Sequence, residues 1–294
     1  MRLSPKPIHK FQKEILDYYN KNGRKMPWRE TVNPYHILVS EIMLQQTQVA
    51  RVEEKYPQFV KAFPNFRALN RASLAKVYGV WQGIGYNRRA LALKKTARIV
   101  VNDYRGALPR THEELCALPG IGKATAASIM AFAFSLPAVF VETNIRTVFI
   151  HFFFKKRKRV ADEEILPLVE QCLHRKNPRM WYWALMDYGT MLKKSGEDKN
   201  MRSKHYKRQG RFEGSRRQKR GKILRILLNC NRLSLKEMCD MMKVINEGWK
   251  MVENGKLKVG SEDKKNVKRG EIKDIVDELT REGMVREEKG RYFL

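Results

Sequence analysis

The sequence predicts an all-α protein that ends in a small α+β unit. Apolar residues recur at helical spacing from residue 8 to about 192, and no segment in that range alternates as a strand does. Residues 223–294 differ, because three helical patterns are followed there by a short hairpin pattern. At 294 residues the chain is long enough to fold more than one unit, each with its own core.

The charge of the chain indicates its partner. The 60 Lys and Arg residues exceed the 31 Asp and Glu residues, which gives a formal net charge of +29. Such an excess repels itself unless a polyanion is near, so nucleic acid is the leading candidate. An anionic membrane surface is the alternative, but we find no basic amphipathic helix suited to lying in it.

No segment predicts secretion or membrane insertion. The longest apolar stretch, ASIMAFAFSLPAVFV at 127–141, is too short to span a bilayer, and residues 1–10 lack the apolar core of a signal peptide. The four cysteines are scattered without a C-x-x-C pair and indicate reduced thiols. We therefore expect an intracellular protein, neither secreted nor membrane-bound, in the cytoplasm or at the nucleoid if its source is prokaryotic.

Turn residues divide residues 8–192 into several helices. PYHILVSEIMLQQTQVARVEEKYPQFVKAF (34–63) predicts at least two, and Pro57 should restrict the second of them to one side. The segments at 73–104 and 111–134 each predict a helix, a glycine-rich turn and a second helix. This region should therefore form one helical domain over residues 1–192.

The rest of the chain should form a linker and a small domain. Residues 193–222 are polar and strongly basic and predict a linker or a DNA-facing loop. Residues 223–294 should begin with the helix of ILRILLNC (223–230), continue with a second helix, and add a third over GEIKDIVDELTREG (270–283). With a terminal hairpin that turns near Lys289–Gly290, this order is typical of a winged helix.

The segment LPGIG, followed by Lys123, predicts an anion site. Gly120 and Gly122 allow a tight turn that directs backbone N–H groups outward at the start of the next helix. In a chain of this charge the anion would be a DNA phosphate. The alternative is a tight turn between helices that binds no ligand. This turn between two helices, here called the helical hairpin, indicates that the protein binds DNA but does not indicate which reaction it catalyses.

Two carboxylates occupy unlike surroundings. Glu41 lies among the apolar residues of SEIMLQQTQV (40–49), where a salt-bridge or surface role is the ordinary interpretation. Glu142, in VETNIRTV (141–148), would stand at the positive amino end of a helix, where capping is the ordinary interpretation. One protonated and one ionised carboxyl group are also what cleavage of a glycosidic bond requires.

Four motifs occur in the order found in a known family: MPWRETVNPYHILVSEIMLQQTQVARV (26–52), WQGIGYNRRA (81–90), LPGIGKATAA (118–127) and VETNIRTV (141–148). Over about residues 8–192 the chain resembles the helix-hairpin-helix DNA glycosylases, most closely those of the MutY type that act on adenine. The resemblance implies a two-lobed helical glycosylase domain. Such enzymes extrude the target nucleotide from the duplex into a pocket.

The resemblance also implies roles for individual residues. Glu41 would protonate the adenine, Glu142 would stabilise the sugar cation, and Asn144 would assist in the active site. Gln46 would wedge into the gap left in the duplex, while Tyr86 would intercalate on the other side. The other implied DNA or base contacts are Arg29, Gln45, Thr47, Arg88, Gly120, Gly122, Lys123 and Thr125. A monovalent cation would be held by the backbone carbonyls of Cys116, Leu118 and Ile121.

The chain departs from the family pattern at four places. Glu142 stands where the family has Asp. No cysteine lies between residues 173 and 229, where the family's iron–sulfur loop needs four, so we expect no cluster and no other cofactor. The winged-helix-like unit stands where most adenine glycosylases have a domain that recognises 8-oxoguanine. Ala124 replaces the Schiff-base lysine of bifunctional relatives such as endonuclease III, and Lys123 is better interpreted as a phosphate contact.

We therefore predict a monomeric, monofunctional DNA glycosylase that removes adenine mispaired with guanine or 8-oxoguanine from double-stranded DNA. An enzyme of the same fold that acts on thymine or uracil opposite guanine is one alternative, against which LQQTQV argues. A DNA-binding or regulatory protein without catalysis is another, against which the two carboxylates argue.

Overall fold

The computed structural model describes residues 2–246, 249–251, 257–259 and 269–294. Its helices are α1 (Pro5–Asn22), α2 (Pro34–Leu44), α3 (Val49–Ala62), α4 (Phe66–Arg71), α5 (Leu74–Trp81), α6 (Arg88–Asp103), α7 (His112–Ala117), α8 (Lys123–Phe134), α9 (Thr143–Phe153), α10 (Asp162–Gln171), α11 (Pro178–Lys194), α12 (Arg216–Cys230), α13 (Leu235–Asn246) and α14 (Arg269–Arg281). Short 3-10 helices cover Pro27–Arg29 and Lys199–Arg202. The strands are β1 (Leu233–Ser234), β2 (Trp249–Met251), β3 (Leu257–Val259), β4 (Arg286–Glu288) and β5 (Arg291–Phe293).

These elements group into two compact units. The first contains the chain up to Arg67 together with Thr96–Arg208, and the second contains Ala68–Lys95 together with Gln209–Leu294. The predicted boundaries at 192 and 222 differ from this grouping. Residues 193–222 are divided between the units rather than forming a separate linker, and residues 68–95 join the C-terminal residues.

In the first unit, α9 packs along α11, α11 along α1, and α2 along α8. Phe11 lies at the centre of one part of the core, where its ring meets those of Phe149, Phe152, Phe153 and Trp181 edge-on at centroid distances of 4.9–5.8 Å. Edge-on aromatic pairs of this kind each add about 0.5–1.5 kcal/mol beyond the burial of their area. The aromatic residues therefore hold α1 against α9 and α11.

Helix α2 is apolar on nearly all sides. Its buried residues are Tyr35, Ile37, Leu38, Val39, Ser40, Ile42 and Met43. A helix that is apolar all round belongs in a core rather than at a surface. Asn33 caps its start by accepting from the N–H of Tyr35 at 2.9 Å, and Pro34 supplies a first residue that needs no hydrogen-bond acceptor.

Pro57 does not interrupt helix α3, contrary to the sequence-based expectation. The helix continues through it from Val49 to Ala62. Proline removes one backbone hydrogen bond from the helix. The burial of Val52, Tyr56 and Phe59 on the same helix offsets that loss.

The second unit contains the winged-helix-like fold. Helices α12, α13 and α14 pack on one another and accompany an antiparallel sheet of order β1-β5-β4. Lys289 and Gly290 join β4 to β5 with φ of 50° and 73°, as a type I′ hairpin requires. The prediction of three helices and a hairpin is confirmed, but α12 begins at Arg216, seven residues before the predicted start at 223.

Two further features complete this unit. Strands β2 and β3 pair antiparallel, with Trp249 opposite Val259. Helix α14 ends at Arg281. Gly283, the predicted capping residue, follows with φ of 75°, and its N–H donates to the carbonyl of Thr280 at 2.9 Å. Across the described residues of both units, no helix combines the length and apolar character needed to cross a membrane.

Candidate active site

Glu41 projects from the apolar helix α2 toward α8. Its Oε2 atom lies 2.5 Å from the Ser128 hydroxyl oxygen. Burial raises the pKa of Glu41 to about 7; the Ser128 hydrogen bond acts in the opposite direction, the charge of Glu142 raises the pKa further, and that of Arg29 lowers it. A carboxyl group with this pKa carries a proton in a large share of molecules near neutral pH and can donate it.

Ser128, which the sequence did not single out, can serve both protonation states of Glu41. Its hydroxyl oxygen also lies 2.9 Å from the carbonyl oxygen of Thr125. A hydroxyl has a single proton and can both donate and accept. When Glu41 is ionised, Ser128 can donate to it. When Glu41 is protonated, it can donate to Ser128, which then donates to Thr125. The three-residue spacing from Thr125 on one helix was the only signal in the sequence.

Glu142 caps helix α9, as its position in the sequence predicted. Its Oε1 atom accepts from the backbone N–H groups of Asn144 at 2.8 Å and Ile145 at 2.9 Å. Its Oε2 atom accepts from the Asn144 side-chain amide at 3.2 Å. The positive end of the helix favours the ionised carboxylate. Capping and charge stabilisation are therefore compatible in this residue.

Asn144 is itself held by α11. Its Oδ1 atom accepts from Lys193 Nζ at 2.9 Å. Burial lowers the pKa of Lys193, against the charges of Glu142 and Asp198, which raise it. A Cβ atom at Gly189 would lie 2.5 Å from the backbone oxygen of Asn144, so only glycine permits this approach of α9 to α11. Sequence reasoning missed both Lys193 and Gly189.

Arg29 was predicted to contact the base, but its guanidinium is occupied by a buried acid. It donates to Asp187 through Nη1 at 2.9 Å and Nη2 at 2.8 Å. Arg24 donates to the same carboxylate through its backbone N–H and its Nε, each at 2.8 Å. Arg29 and Asp187 are only 6% and 1% exposed. Arg29 therefore acts on Glu41 by its charge. Asp187, the one acid in α11, holds the Arg29 side chain in place.

The predicted anion site has the expected backbone. Gly120 has φ of 79°, and Gly122 forms the start of α8 with no side-chain cap on the helix. A Cβ atom at Gly122 would meet no protein atom within 4 Å, so an anion could approach closely. The first N–H groups of α8 and the exposed Lys123 surround this point.

Gln45 connects the end of α2 to the glycine turn before α8. Its amide nitrogen donates to the Gly120 carbonyl at 3.2 Å and to the Thr125 hydroxyl at 3.3 Å. The structure thus brings together three residues that the sequence assigned separately to DNA contacts. Their hydrogen bonds join the turn after α2 to the candidate phosphate site.

Gln46 occupies the turn between α2 and α3. It is exposed and has φ of 54°, a left-handed conformation that costs a residue other than glycine about 1 kcal/mol. The adjacent Thr47 steadies the turn by donating its hydroxyl to the Gln45 carbonyl at 3.3 Å. Local strain of this kind concentrates at functional sites. The wedge role of Gln46 remains a prediction.

One of the three carbonyl groups predicted to hold a cation already accepts a hydrogen bond. The Leu118 carbonyl accepts from the Ile121 N–H at 3.2 Å. A carbonyl oxygen has a second lone pair, so the cation site remains a prediction that this contact leaves open.

Tyr86 and Arg88 belong to the second unit. Tyr86 has φ of 48°, and its hydroxyl accepts from Arg217 Nη1 at 2.9 Å. Arg88 was predicted to contact DNA, but its Nε donates to Glu282 at 2.8 Å in an exposed ion pair. Its charge is therefore shared with an acid of the same unit.

The residues after α11 do not suit a cysteine-ligated cluster. The cysteines are free and lie at 116, 172, 230 and 239, and within the described ranges no three His, Cys, Asp or Glu side chains converge as metal ligands do. Contacts with α9 hold this segment: Arg146 donates to Asn200 at 3.1 Å, and Thr147 donates to Asp198 at 3.3 Å. The donor set thus does not fit four-thiolate ligation.

The region with this geometry matches a known family. Residues 39–171 match the HhH-GPD superfamily base excision DNA repair protein. This range includes Glu41, the hairpin, Glu142 and Asn144.

The relatives of this chain are named for acting on different bases. The adenine DNA glycosylase of Buchnera aphidicola subsp. Baizongia pistaciae (strain Bp) is 36% identical over 184 residues, which cover 62% of this chain and 52% of that protein. The thymine/uracil-DNA glycosylase of Methanothermobacter thermautotrophicus is 36% identical over 144 residues, or 49% of this chain and 65% of that protein. The chain spans about half the length of the first of these.

A solved structure is similar to this chain as well. The structure of a thermostable thymine-DNA glycosylase superposes with a TM-score of 0.57 at 30% identity and covers 63% of this chain and 87% of its own. The likeness therefore extends to the arrangement of the helices.

Proposed function

Because this chain belongs to the HhH-GPD superfamily of base excision DNA repair proteins, we propose that it is a monofunctional DNA glycosylase that removes adenine opposite guanine or 8-oxoguanine. One observation carries the proposal: a partly buried carboxyl group with a pKa of about 7, Glu41, lies close enough to a second carboxylate, Glu142, to be influenced by its charge. Two carboxyl groups in such different surroundings suit glycosidic-bond cleavage. Binding to DNA would require neither.

The reaction follows from these two groups. Glu41 donates its proton to a ring nitrogen of the extruded adenine, the bond from that base to C1′ breaks, and the electron pair leaves with the base. The ionised Glu142 stabilises the positive charge that develops on the sugar. Water then adds to C1′ and returns a proton to Glu41. The side chain of Ala124 has no amine, so no covalent intermediate forms at that position and the strand stays intact.

We favour adenine as the excised base for two reasons: the QQTQ sequence at 45–48, shortly after Glu41, and the similarity to an adenine DNA glycosylase. Thymine or uracil opposite guanine is the second candidate, favoured by the 36% identity to a thymine/uracil-DNA glycosylase. Both proposed activities would use Glu41 as the acid and Glu142 as the second carboxylate. Only a test of the mismatched substrates can therefore distinguish them.

A panel of duplexes tests the proposal. The protein is incubated with duplexes that contain A·8-oxoG, A·G, T·G or U·G, and abasic sites are then cleaved with alkali. We expect strand cleavage after alkali with the adenine-containing duplexes, and none without alkali. Release from the T·G and U·G duplexes alone supports the second candidate. Release from none of the four, by protein that still binds DNA, contradicts a glycosylase.

Changing Glu142 to Gln should slow excision by about 10²–10³-fold, as loss of one preorganised charge contact does. The glutamine oxygen can still accept from the N–H groups of Asn144 and Ile145, so the helix cap survives. Single-turnover rates and binding by fluorescence anisotropy are the measurements. Glu142→Asp is the matched control for charge, and it should also be slow because its shorter arm withdraws the charge. A Glu142→Gln rate equal to that of the wild type would limit this residue to capping.

Changing Ser128 to Ala should move the pH dependence of excision. Ser128 stabilises the ionised form of Glu41, so its loss should raise the pKa of Glu41 and extend activity to higher pH. The measurement is the single-turnover rate from pH 5 to 9. Ser128→Thr, which keeps a hydroxyl, should retain the original profile. An unchanged profile in Ser128→Ala, with lower rates at every pH, would indicate a packing role.

A further inference from the structure

Phe212 is an aromatic residue that the proposed chemistry does not use. Its side chain is 54% exposed, and among the described residues the other exposed large apolar side chains are Val32, Met201 and Tyr206. A lone exposed apolar residue needs no explanation. Phe212 differs from such a residue because one face of its ring is part of an ordered series.

The series alternates aromatic rings with guanidinium groups. The Arg217 guanidinium lies 5.2 Å from the centre of the Phe212 ring and 5.6 Å from that of Tyr86. Arg89 lies 5.3 Å from the centre of the Tyr86 ring and 5.7 Å from that of Trp81. Guanidinium groups stack on aromatic faces in this manner. Phe212 ends the series, and it is the aromatic member with the most exposed side chain.

The loop that carries Phe212 is held in place. The Phe212 carbonyl accepts from the Ser215 N–H at 3.1 Å and from the Ser215 hydroxyl at 2.5 Å. Ser215 also caps α12 by accepting from the Gln218 N–H at 3.2 Å. Arg217 donates to the Gly210 carbonyl at 3.2 Å. Because these bonds already order the backbone of the loop, a ligand would spend little free energy on ordering it.

The surroundings of Phe212 are positively charged. Residues 209–222 contain six Lys or Arg residues and one acid, Glu213. Arg216 and Lys219 pair with acids of α14. Arg217 instead makes its hydrogen bonds to neutral oxygens, those of Tyr86 and Gly210. A ligand of this surface should therefore combine a flat π system with negative charge, as a nucleotide does.

We propose that Phe212 is a stacking platform for an unpaired nucleobase of a DNA strand, backed by Arg217 and Tyr86. A paired base inside a duplex is covered on both faces by its neighbours, so it presents no face to this ring. A base in single-stranded DNA, or a base left without a partner opposite an abasic site, can leave the stack and do so. The site lies in the second unit and does not depend on the excision chemistry.

Binding of three DNA ligands to Phe212→Ala and Phe212→Trp tests the platform. The ligands are a thymidine oligomer, a duplex with an abasic analogue opposite guanine, and a fully paired duplex. We expect Phe212→Ala to weaken binding of the first two about 5–150-fold, the range for losing one stacked base, and to leave the paired duplex unchanged. Phe212→Trp should bind these two ligands as tightly as the wild type does. The fluorescence emission of the introduced tryptophan should change when the oligomer is added.

Salt dependence separates stacking from charge. The slope of log affinity against log salt should be the same for Phe212→Ala and the wild type, because stacking releases no counterions. Val32→Ala, which truncates an exposed apolar residue of the first unit, is the matched control and should bind all three ligands normally. Equal affinities of Phe212→Ala and the wild type for every ligand overturn the proposal. Equal weakening on all three, or a Phe212-dependent affinity for anionic lipid vesicles in place of DNA, does so as well.

Excision activity has no bearing on this result. Failure on the mismatch panel with a Phe212-dependent affinity for the oligomer would contradict the proposed function and support the platform. The reverse outcome would contradict the platform alone. Thermal melting of the variants should match the wild type, because an exposed ring contributes little to the core.

Discussion

Replacing Glu41 with Gln is expected to abolish base excision while DNA binding persists. Glutamine keeps the shape of the side chain, and its oxygen can still accept from Ser128, but it has no acidic proton to give. Loss of a positioned general acid typically slows a reaction by about 10²–10⁴-fold. Single-turnover excision from the preferred mismatch, with anisotropy measurements of binding, checks this. Equal losses of binding and excision would mark Glu41 as a structural residue.

The same variant should be more stable than the wild type above neutral pH. The pKa of Glu41 in the folded protein is about 7, against an ordinary value of 4.5, so between these values the folded state holds more protons than the unfolded state. The favourable contribution of the protonated group is complete below pH 4.5 and is lost as the pH rises to about 7. Glutamine avoids that loss.

We expect Glu41→Gln to exceed the wild type by about 3–4 kcal/mol in free energy of unfolding at pH 8, because the pKa of Glu41 rises from 4.5 to about 7 on folding and each pKa unit corresponds to about 1.4 kcal/mol. At pH 4.5 the difference should be small. Urea titrations at the two pH values measure both quantities. The combination of lost activity and gained stability is the signature of a group held in its site for its chemistry. A variant that is less stable than the wild type at pH 8 contradicts this account.

Replacing Asp187 with Asn is expected to destabilise the first unit by about 3–5 kcal/mol, because it leaves a buried cation without its partner. Burial by itself would raise the pKa of Asp187, but the hydrogen bonds and charge of Arg29, together with the hydrogen bonds of Arg24, hold that pKa below its usual range. The stability that this shift contributes is present above the unfolded-state pKa and is lost as the pH falls through the folded-state pKa.

Urea titration of Asp187→Asn at pH 7 measures the loss. Asp17→Asn is the matched control, because Asp17 pairs with Lys13 at a surface where the side chains are 56% and 80% exposed. A pair as exposed as this contributes between zero and about 1 kcal/mol. Similar small losses in the two variants would show that the buried carboxylate does not hold the arginines in place.

Features that depend on neighbouring residues were predictable from the sequence. The glycine turn before α8, the cap of α9 by Glu142 and the three helices with a terminal hairpin all follow from residues a few positions apart. Backbone conformation at a turn and the capping of a helix are decided by such neighbours, so the pattern alone suffices. The start of α12 was missed because its first seven residues are mostly basic and lack an apolar face.

The chemistry of the site depended on contacts that only folding makes. Glu41 and Ser128 are 87 positions apart, and Arg29 and Asp187 are 158 apart. A pKa is determined by burial and by nearby charges, and neither can be obtained from the spacing of apolar residues along one helix. The sequence by itself determined which side chains the protein has for the proposed DNA binding and acid catalysis. Tertiary packing decided that Glu41 keeps its proton near neutral pH, that Asp187 occupies Arg29, and that residues 68–95 belong with the C-terminal unit, because each results from surfaces buried against distant parts of the chain.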